Sequence, residues 1–305
     1  MSDSTCNGGS GCKSCDSASA CSQDDRQRHE QENIARAMGN IGKKFMVLSG
    51  KGGVGKSSVA VNLAATLAAR GKKVGVLDAD MHGPNIPKMF GLDEEQLQPA
   101  PGGGMLPVCA ADNLHVMSVG FFLKSEEHAV VWRGPMKHGV MKQFLGEVHW
   151  GALDYLIIDL PPGTGDEALS LVHLIGNVDG AVIVTTPQDV ALLDSKKSIS
   201  FCKELKIPLI GVVENMSGML CPHCGKTIDL FKTGGGETIA KKMKVPFLGR
   251  VPLDPAMVLC GDEGQPFVTK HPASSAAAAF GGIADTWETL LVKGPGKSFF
   301  QKIFS

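Results

Sequence analysis

The segment Gly50-Lys51-Gly52-Gly53-Val54-Gly55-Lys56-Ser57 constrains this chain more than any other stretch. It follows a short apolar run, Phe45–Ser49, and opens a helix-prone run, Lys56–Ala69. Strand, glycine-rich turn and helix in that order let backbone N–H groups converge on phosphate oxygens, at a helix end whose dipole favours negative charge. Lys56 is placed to reach the phosphates and the Ser57 hydroxyl to ligate Mg²⁺. Gly50, Lys51, Gly52, Gly53, Val54, Gly55, Lys56, Ser57 and Ser58 are therefore the candidate nucleotide-binding residues.

A turn of this kind needs a strand behind it and a helix in front of it, and the rest of the chain repeats that alternation. Strands are expected at Phe45–Ser49, Val74–Asp78, Leu114–Val119, Tyr155–Asp159, Ala181–Thr185 and Leu209–Glu214. Helices are expected at 25–38 (ended by Gly39), Lys56–Ala69, Met136–Val148, Glu167–Ile175, Val190–Leu205 and about Ala273 to Leu291. Short apolar strands alternating with helices imply right-handed βαβ units. The expected fold class is α/β, a mostly parallel central sheet with helices on both faces, preceded by a cysteine-rich flexible N-terminal tail. Residues 93–112, with Pro99-Ala100-Pro101-Gly102-Gly103-Gly104, and residues 216–236 read as loops. The expected organisation is a tail at 1–24, a phosphate-loop domain at 25–293 with an inserted loop at 216–236, and an amphipathic tail at 294–305.

Three acidic positions belong with the phosphate loop. Asp159 ends an apolar strand before Pro161-Pro162-Gly163, where a carboxylate can hold Mg²⁺ or its water. Asp78 and Asp80 end the second strand at the same edge, and Asp80 is the candidate for positioning the attacking water. Lys51 is not needed to cradle phosphate in its own subunit. It is either solvated surface charge or a lysine that reaches a phosphate across a dimer interface.

Nine cysteines are the other unusual feature, and most fall in short clusters. Cys221 and Cys224 form a C-x-x-C pair before Gly225, which supplies half of a tetrahedral thiolate set. A C2 dimer would complete the set with the same pair from a second copy. Zn²⁺ and an iron–sulfur cluster both suit four thiolates, and His223 is a weaker candidate ligand. Cys6, Cys12, Cys15 and Cys21 are a complete four-thiolate set within the tail, suited to a [4Fe–4S] cluster or zinc. Cys109, Cys202 and Cys260 stand alone and are assigned no chemistry.

Taken together, Lys51 within Gly50–Ser57, Asp80, and Asp159 before Pro161-Pro162-Gly163 resemble the deviant Walker A ATPases, the group of MinD, ParA, ArsA and nitrogenase iron protein. Trp132-Arg133-Gly134-Pro135-Met136, Val213-Glu214-Asn215-Met216-Ser217 and Cys221-x-x-Cys224 narrow the resemblance to the Mrp/Nbp/ApbC family of iron–sulfur cluster scaffold or carrier ATPases, over about residues 28–290. That resemblance implies an ATPase using ATP and Mg²⁺, with Lys51 and Asp80 supporting slow hydrolysis. It implies an adenine site near Asn215 flanked by Pro252-Leu253-Asp254-Pro255, so Asn215 and Pro252 join the candidate residues. It also turns the choice at Cys221 and Cys224 toward a [4Fe–4S] cluster bridging a homodimer and passed to acceptor apoproteins. Cys12, Cys15 and Cys21 resemble the N-terminal cluster motif of the Nbp-type branch, with Cys6 closer to Cys12 than that branch usually shows.

Net charge is −1, which leaves no electrostatic footprint for nucleic acid. No run of about 20 apolar residues is present for a bilayer span and no secretory leader is seen, so a reducing cytoplasm is the expected location. The last residues, Gly296–Ser305, are amphipathic with two lysines. They are expected to dock on the protein rather than on a membrane, since ten residues make a weak anchor. The rival reading is a MinD/ParA-like positioning ATPase on membrane or DNA, with structural zinc at the cysteines.

Overall fold

The computed structural model describes residues 23–122, 134–221 and 223–293. In chain order the elements are α1 (Gln23–Gly39), β1 (Ile41–Ser49), α2 (Lys56–Ala69), β2 (Val74–Asp78), α3 (Ile86–Phe90), β3 (Gln98–Pro99), β4 (Met105–Leu106), β5 (Val108–Ala111) and β6 (Leu114–Ser118). They continue with α4 (Gly134–Gly146), β7 (Leu153–Asp159), α5 (Asp166–Ile175), β8 (Gly180–Thr185), α6 (Asp189–Glu204), β9 (Ile210–Glu214), β10 (Met219–Leu220) and β11 (Thr227–Ile228). The last are α7 (Gly235–Met243), β12 (Phe247–Arg250), α8 (Pro255–Asp262), α9 (Phe267–Lys270) and α10 (Ser275–Lys293).

Eight strands form one sheet in the order β12-β9-β8-β1-β7-β2-β6-β5. Every neighbouring pair is parallel except β5 with β6 at one edge. Helices cover both faces, as a parallel sheet requires. The period-2 alternation of the strands decides which layer each residue joins. Met46 and Leu48 face the layer that holds Ile34 of α1, Phe144 of α4, Leu171 of α5 and Ile199 of α6. Phe45 and Val47 face the opposite layer, with Leu63 of α2 and Phe280 and Trp287 of α10. There the Phe45 and Trp287 rings meet edge to face, 5.1 Å between centroids.

All six expected strands and six expected helices are present, most within two residues of their expected ends. Two loop readings need correction. Residues 93–112 contain the β3–β4 hairpin and the antiparallel edge strand β5, because the glycines turn a ribbon back on itself rather than leaving it open. Within 216–236, β10 and β11 pair as a small hairpin, and Gly234-Gly235-Gly236 is the start of α7. Strand β12 was missed. It has four residues, contains a glycine and pairs with β9 through a register shift, so no alternation marks it.

The fold sets the functional edge. Strands β1, β2 and β7 all run toward the same side, ending in Ser49, Asp78 and Asp159. In open α/β sheets the ligand crevice lies outside these carboxyl ends.

Candidate functional site

The loop from β1 to α2 holds Gly53 and Gly55 at φ +78° and +79°, conformations that a β-carbon disfavours. Gly55 is further required by a close approach: a Cβ there would stand 2.3 Å from Asn215 Nδ2. That amide instead donates to the Val54 carbonyl at 2.9 Å. Asn215, at the end of β9, is thereby fixed against the phosphate loop, and Pro252 follows the adjacent edge strand β12. Lys51 is half-buried in the loop, its carbonyl accepting from Ser49 Oγ at 2.9 Å.

Lys56, Ser57, Asp80 and Asp159 converge. Lys56 Nζ lies 2.8 Å from Asp159 Oδ2 and 3.8 Å from Asp80 Oδ2. Ser57 Oγ donates to the same Asp159 oxygen at 2.6 Å. Asp159 is completely buried, which raises its pKa against the opposing pull of Lys56. Its Oδ1 is buried with no hydrogen-bond partner. An anionic oxygen without a donor beside a serine hydroxyl is a donor set suited to a hard divalent cation.

Asp78 is a neighbour of this cluster that sequence reasoning left without a role. It is also completely buried, and it accepts from Ser118 Oγ at 2.9 Å, the Asp80 amide at 3.2 Å and the Ile86 amide at 3.4 Å. Burial first, then the Asp159 charge, push its carboxyl up to about 8. Its hydrogen bonds hold the turn that presents Asp80. Beyond Asp80 an open groove of about 600 Å³ is lined by His82, Pro161, Pro162 and Glu167. Lys137 of α4 bonds Glu167 and lies 2.7 Å from His82 Nε2, tying three elements together at that groove. Nothing in the local sequence marks this trio, because its members are 82, 137 and 167 in the chain.

The cysteine pair lies outside this pocket. Cys221 and Cys224 sit at the turn of the β10–β11 hairpin, a two-stranded sheet of its own. The Gly225 amide donates to the Cys221 carbonyl, and the Cys221 amide to the Lys226 carbonyl, both at 2.9 Å. Donors from the His223 and Cys224 backbone, and from the Cys224 side chain, lower the Cys221 thiol pKa and favour the metal-binding thiolate. Cys221 is half-buried and Cys224 exposed. Leu220, Ile228 and Leu230 around them are 49%, 43% and 57% exposed. Among the described residues no group of three or more His, Cys, Asp or Glu side chains is set to hold a metal, so this pair remains half a set. Cys6, Cys12, Cys15 and Cys21, Trp132 and Arg133, and the 294–305 tail lie outside the described residues.

The family described as ParA, "NUBPL iron-transfer P-loop NTPase", matches residues 40–287. A Methanocaldococcus jannaschii protein named "Iron-sulfur cluster carrier protein" is 51% identical over 258 residues, 84% of this chain and 89% of the relative. The chain belongs to this family. A Saccharolobus solfataricus iron–sulfur cluster carrier protein is 50% identical over 83% of this chain and 85% of its own length. Among solved structures, a nucleotide-binding protein from Archaeoglobus fulgidus in complex with ADP, with cobalt found, superposes with a TM-score of 0.69 and 40% identity, covering 77% of this chain and 92% of that one. The cell-division ATPase MinD of Pyrococcus furiosus aligns at TM-score 0.58 and 26% identity, over 82% of this chain and 99% of its own. As an iron-transfer P-loop NTPase the chain carries both parts that the sequence set apart, a phosphate loop and a cysteine pair. Among the described residues no helix is long and apolar enough to cross a membrane.

Proposed function

We propose that this chain is an iron–sulfur cluster carrier. It binds and slowly hydrolyses ATP, holds a [4Fe–4S] cluster between two copies of itself through Cys221 and Cys224, and delivers that cluster to acceptor apoproteins in the cytoplasm. The observation that carries the reading is the conjunction of Lys56 and Ser57 gathered on buried Asp159 behind the glycine loop with a cysteine pair, one thiol exposed and one half-buried, that has no further ligand set among the described residues. Names of relatives at about half identity agree with it.

In this reading the loop amides of Gly50 to Gly55 and the α2 N-terminus receive the phosphates. Lys56 exchanges its ion pair with Asp159 for the β/γ-phosphates, which frees the Asp159 carboxylate. Ser57 and Asp159 would hold Mg²⁺, which supplies charge neutralisation on the phosphates. Asp80, held on Asp78, orients the water that attacks the γ-phosphorus, and Lys51 of each copy reaches the nucleotide of the other. Asn215 pairs with the purine edge, and Pro252 flanks the base. The N-terminal Cys6, Cys12, Cys15 and Cys21 hold a second cluster.

Anaerobic reconstitution with iron and sulfide, followed by iron, sulfide and zinc analysis per monomer, tests the assignment. Wild type is expected to hold iron and sulfide at a four-to-four ratio per bridging cluster. The double variant Cys221→Ala/Cys224→Ala is expected to lose the bridging share and keep only what the tail binds. Zinc in place of iron in the wild type would overturn the cluster reading.

A further inference from the structure

The root of the cysteine hairpin is closed by one side chain outside the phosphate loop and the cysteine pair. Glu214 ends β9 and is completely buried. Its Oε1 accepts from Ser217 Oγ, where the hairpin segment leaves the sheet. The same Oε1 accepts from the Gly234 amide at 2.9 Å, where that segment returns. Its Oε2 accepts from the Gly236 amide, in the first turn of α7. The insertion 218–233, with Cys221 and Cys224 inside it, therefore has both feet on a single carboxylate. Arg250 of β12 faces it, with Nε 3.5 Å from Oε1, and also pairs with Glu237 of α7.

On the other side of the same peptide bond is Asn215, whose amide grips the Val54 carbonyl in the phosphate loop. Between these two anchored residues and Ser217 lies Met216 at φ +56°, a left-handed conformation that a side chain disfavours. Such strain persists only where the surroundings over-determine it. Here Asn215 is held by the phosphate loop and Ser217 by Glu214. Backbone bonds add a parallel tie, since the Leu253 amide donates to Gly218 O at 2.7 Å and the Ser217 amide to Val251 O at 3.0 Å. Those bonds join the root to the Pro252–Asp254 stretch.

We infer that Glu214 is a positioning residue that sets the stance of the cysteine hairpin and, through adjacent Asn215, makes that stance answer to the occupant of the phosphate loop. The inference rests on the reading of residues 218–233 as the metal hairpin, and supplies the physical joint that coupling between two sites requires. A nucleotide that moves Val54 or the Asn215 amide moves Met216, and with it the foot at Ser217. Glu214 transmits the shift to the second foot at Gly234.

The test uses the full chain without iron, reduced and treated with chelator, so its readout is independent of cluster loading. The rates at which iodoacetamide alkylates Cys221 and Cys224 are followed by peptide mass spectrometry, with ADP or with Mg²⁺ and AMPPNP. Cys109, exposed on β5 at the opposite edge of the sheet, is the internal reference. In the wild type the two nucleotide states are expected to differ about fivefold in Cys221 rate, the lower range of ordinary coupling between sites. In Glu214→Gln, which keeps the shape but places an N–H₂ where acceptors are needed, that difference is expected to collapse while ADP still binds. Ser217→Ala removes one foot only and is expected to halve the difference. It also carries the test should the glutamine variant fail to fold. A wild-type-sized difference in either variant, or no difference in the wild type, overturns the inference. Absence of iron from reconstituted wild type would instead overturn the carrier reading and leave the alkylation result standing.

Discussion

At the carboxyl edge of the sheet, Lys56 and Ser57 both bond the completely buried Asp159 carboxylate, at 2.8 and 2.6 Å. At the cysteine hairpin, two residues pair with two residues, and Leu220, Ile228 and Leu230 lie largely in the open. The first region is over-determined: removing any member leaves a buried charge or an unsatisfied polar atom. The second is held mainly at its root, and its outer residues contribute little to the fold. The difference matches the functions proposed for the two regions. A phosphate site gains from groups fixed before the ligand arrives, whereas a site that accepts and releases a cluster needs exposed thiols and a surface left for a partner. Substitutions in the first region should therefore cost stability, and substitutions at the hairpin tip should cost metal alone.

The largest effect is expected at Lys56. In Lys56→Ala the completely buried Asp159 keeps only the Ser57 hydroxyl, and breaking a buried ion pair from one side costs about 3–5 kcal/mol. Urea unfolding without nucleotide should show that loss, reduced at low pH where Asp159 takes up a proton. ATP hydrolysis should vanish with it. A variant as stable as wild type would show that the Lys56–Asp159 contact is not a structural pair.

Gly236→Ala comes next, at the root where the two regions meet. A Cβ there would lie 2.9 Å from Glu214 Cβ and 3.2 Å from Thr185 Cγ2. Overpacking of this kind costs about 1–3 kcal/mol, read by the urea midpoint. Alanine at Gly52, where an added Cβ would meet nothing within 4 Å, should not lower the midpoint and so serves as the control for a glycine without close neighbours.

The pH dependence of stability separates the regions in another way. Asp78 has a carboxyl near 3.8 in the unfolded chain and up to about 8 in the folded one. Between those values the folded state binds more protons than the unfolded, so stability contributed by the protonated group is lost as pH rises. One proton gives at most about 1.4 kcal/mol per pH unit. Unfolding measured from pH 5 to 8 should therefore show a falling trend that is flatter in Asp78→Asn. An unchanged slope in that variant would assign the trend to other groups.

The phosphate site was legible in the chain because its chemistry is local: glycines, Lys56 and Ser57 are contiguous, and strand ends mark Asp80 and Asp159. The strands that carry it were legible for the same reason, being apolar runs bounded by turns. What escaped is assembled from distant pieces. Glu214 reads as one more strand-end carboxylate until Gly234, twenty residues on, is folded against it. Lys137, His82 and Glu167 meet only because α4, the Asp80 turn and α5 pack at one groove. Strand β12 escaped for want of length, and Gly235-Gly236 looked like loop because glycine is uncommon inside a helix; here the glycines admit the Glu214 carboxylate to the first turn.

The smallest effect on the fold, and the sharpest contrast, is expected from Cys221→Ser with Cys224→Ser. Cys224 is exposed, Cys221 half-buried, and the turn is held by backbone bonds from Gly225 to Cys221 and from Cys221 to Lys226. Serine keeps all of these, so unfolding free energy should stay within about 0.5 kcal/mol of wild type. ADP affinity should also be unaltered, since neither thiol reaches the phosphate loop. Iron at the bridging site should nevertheless be lost, because a hydroxyl is a poor ligand for the soft metal that a thiolate of lowered pKa holds. A large loss of stability in this metal-free pair would mean that the hairpin tip contributes to the fold as the phosphate site does, and the division between a fixed nucleotide edge and a labile metal loop would fail.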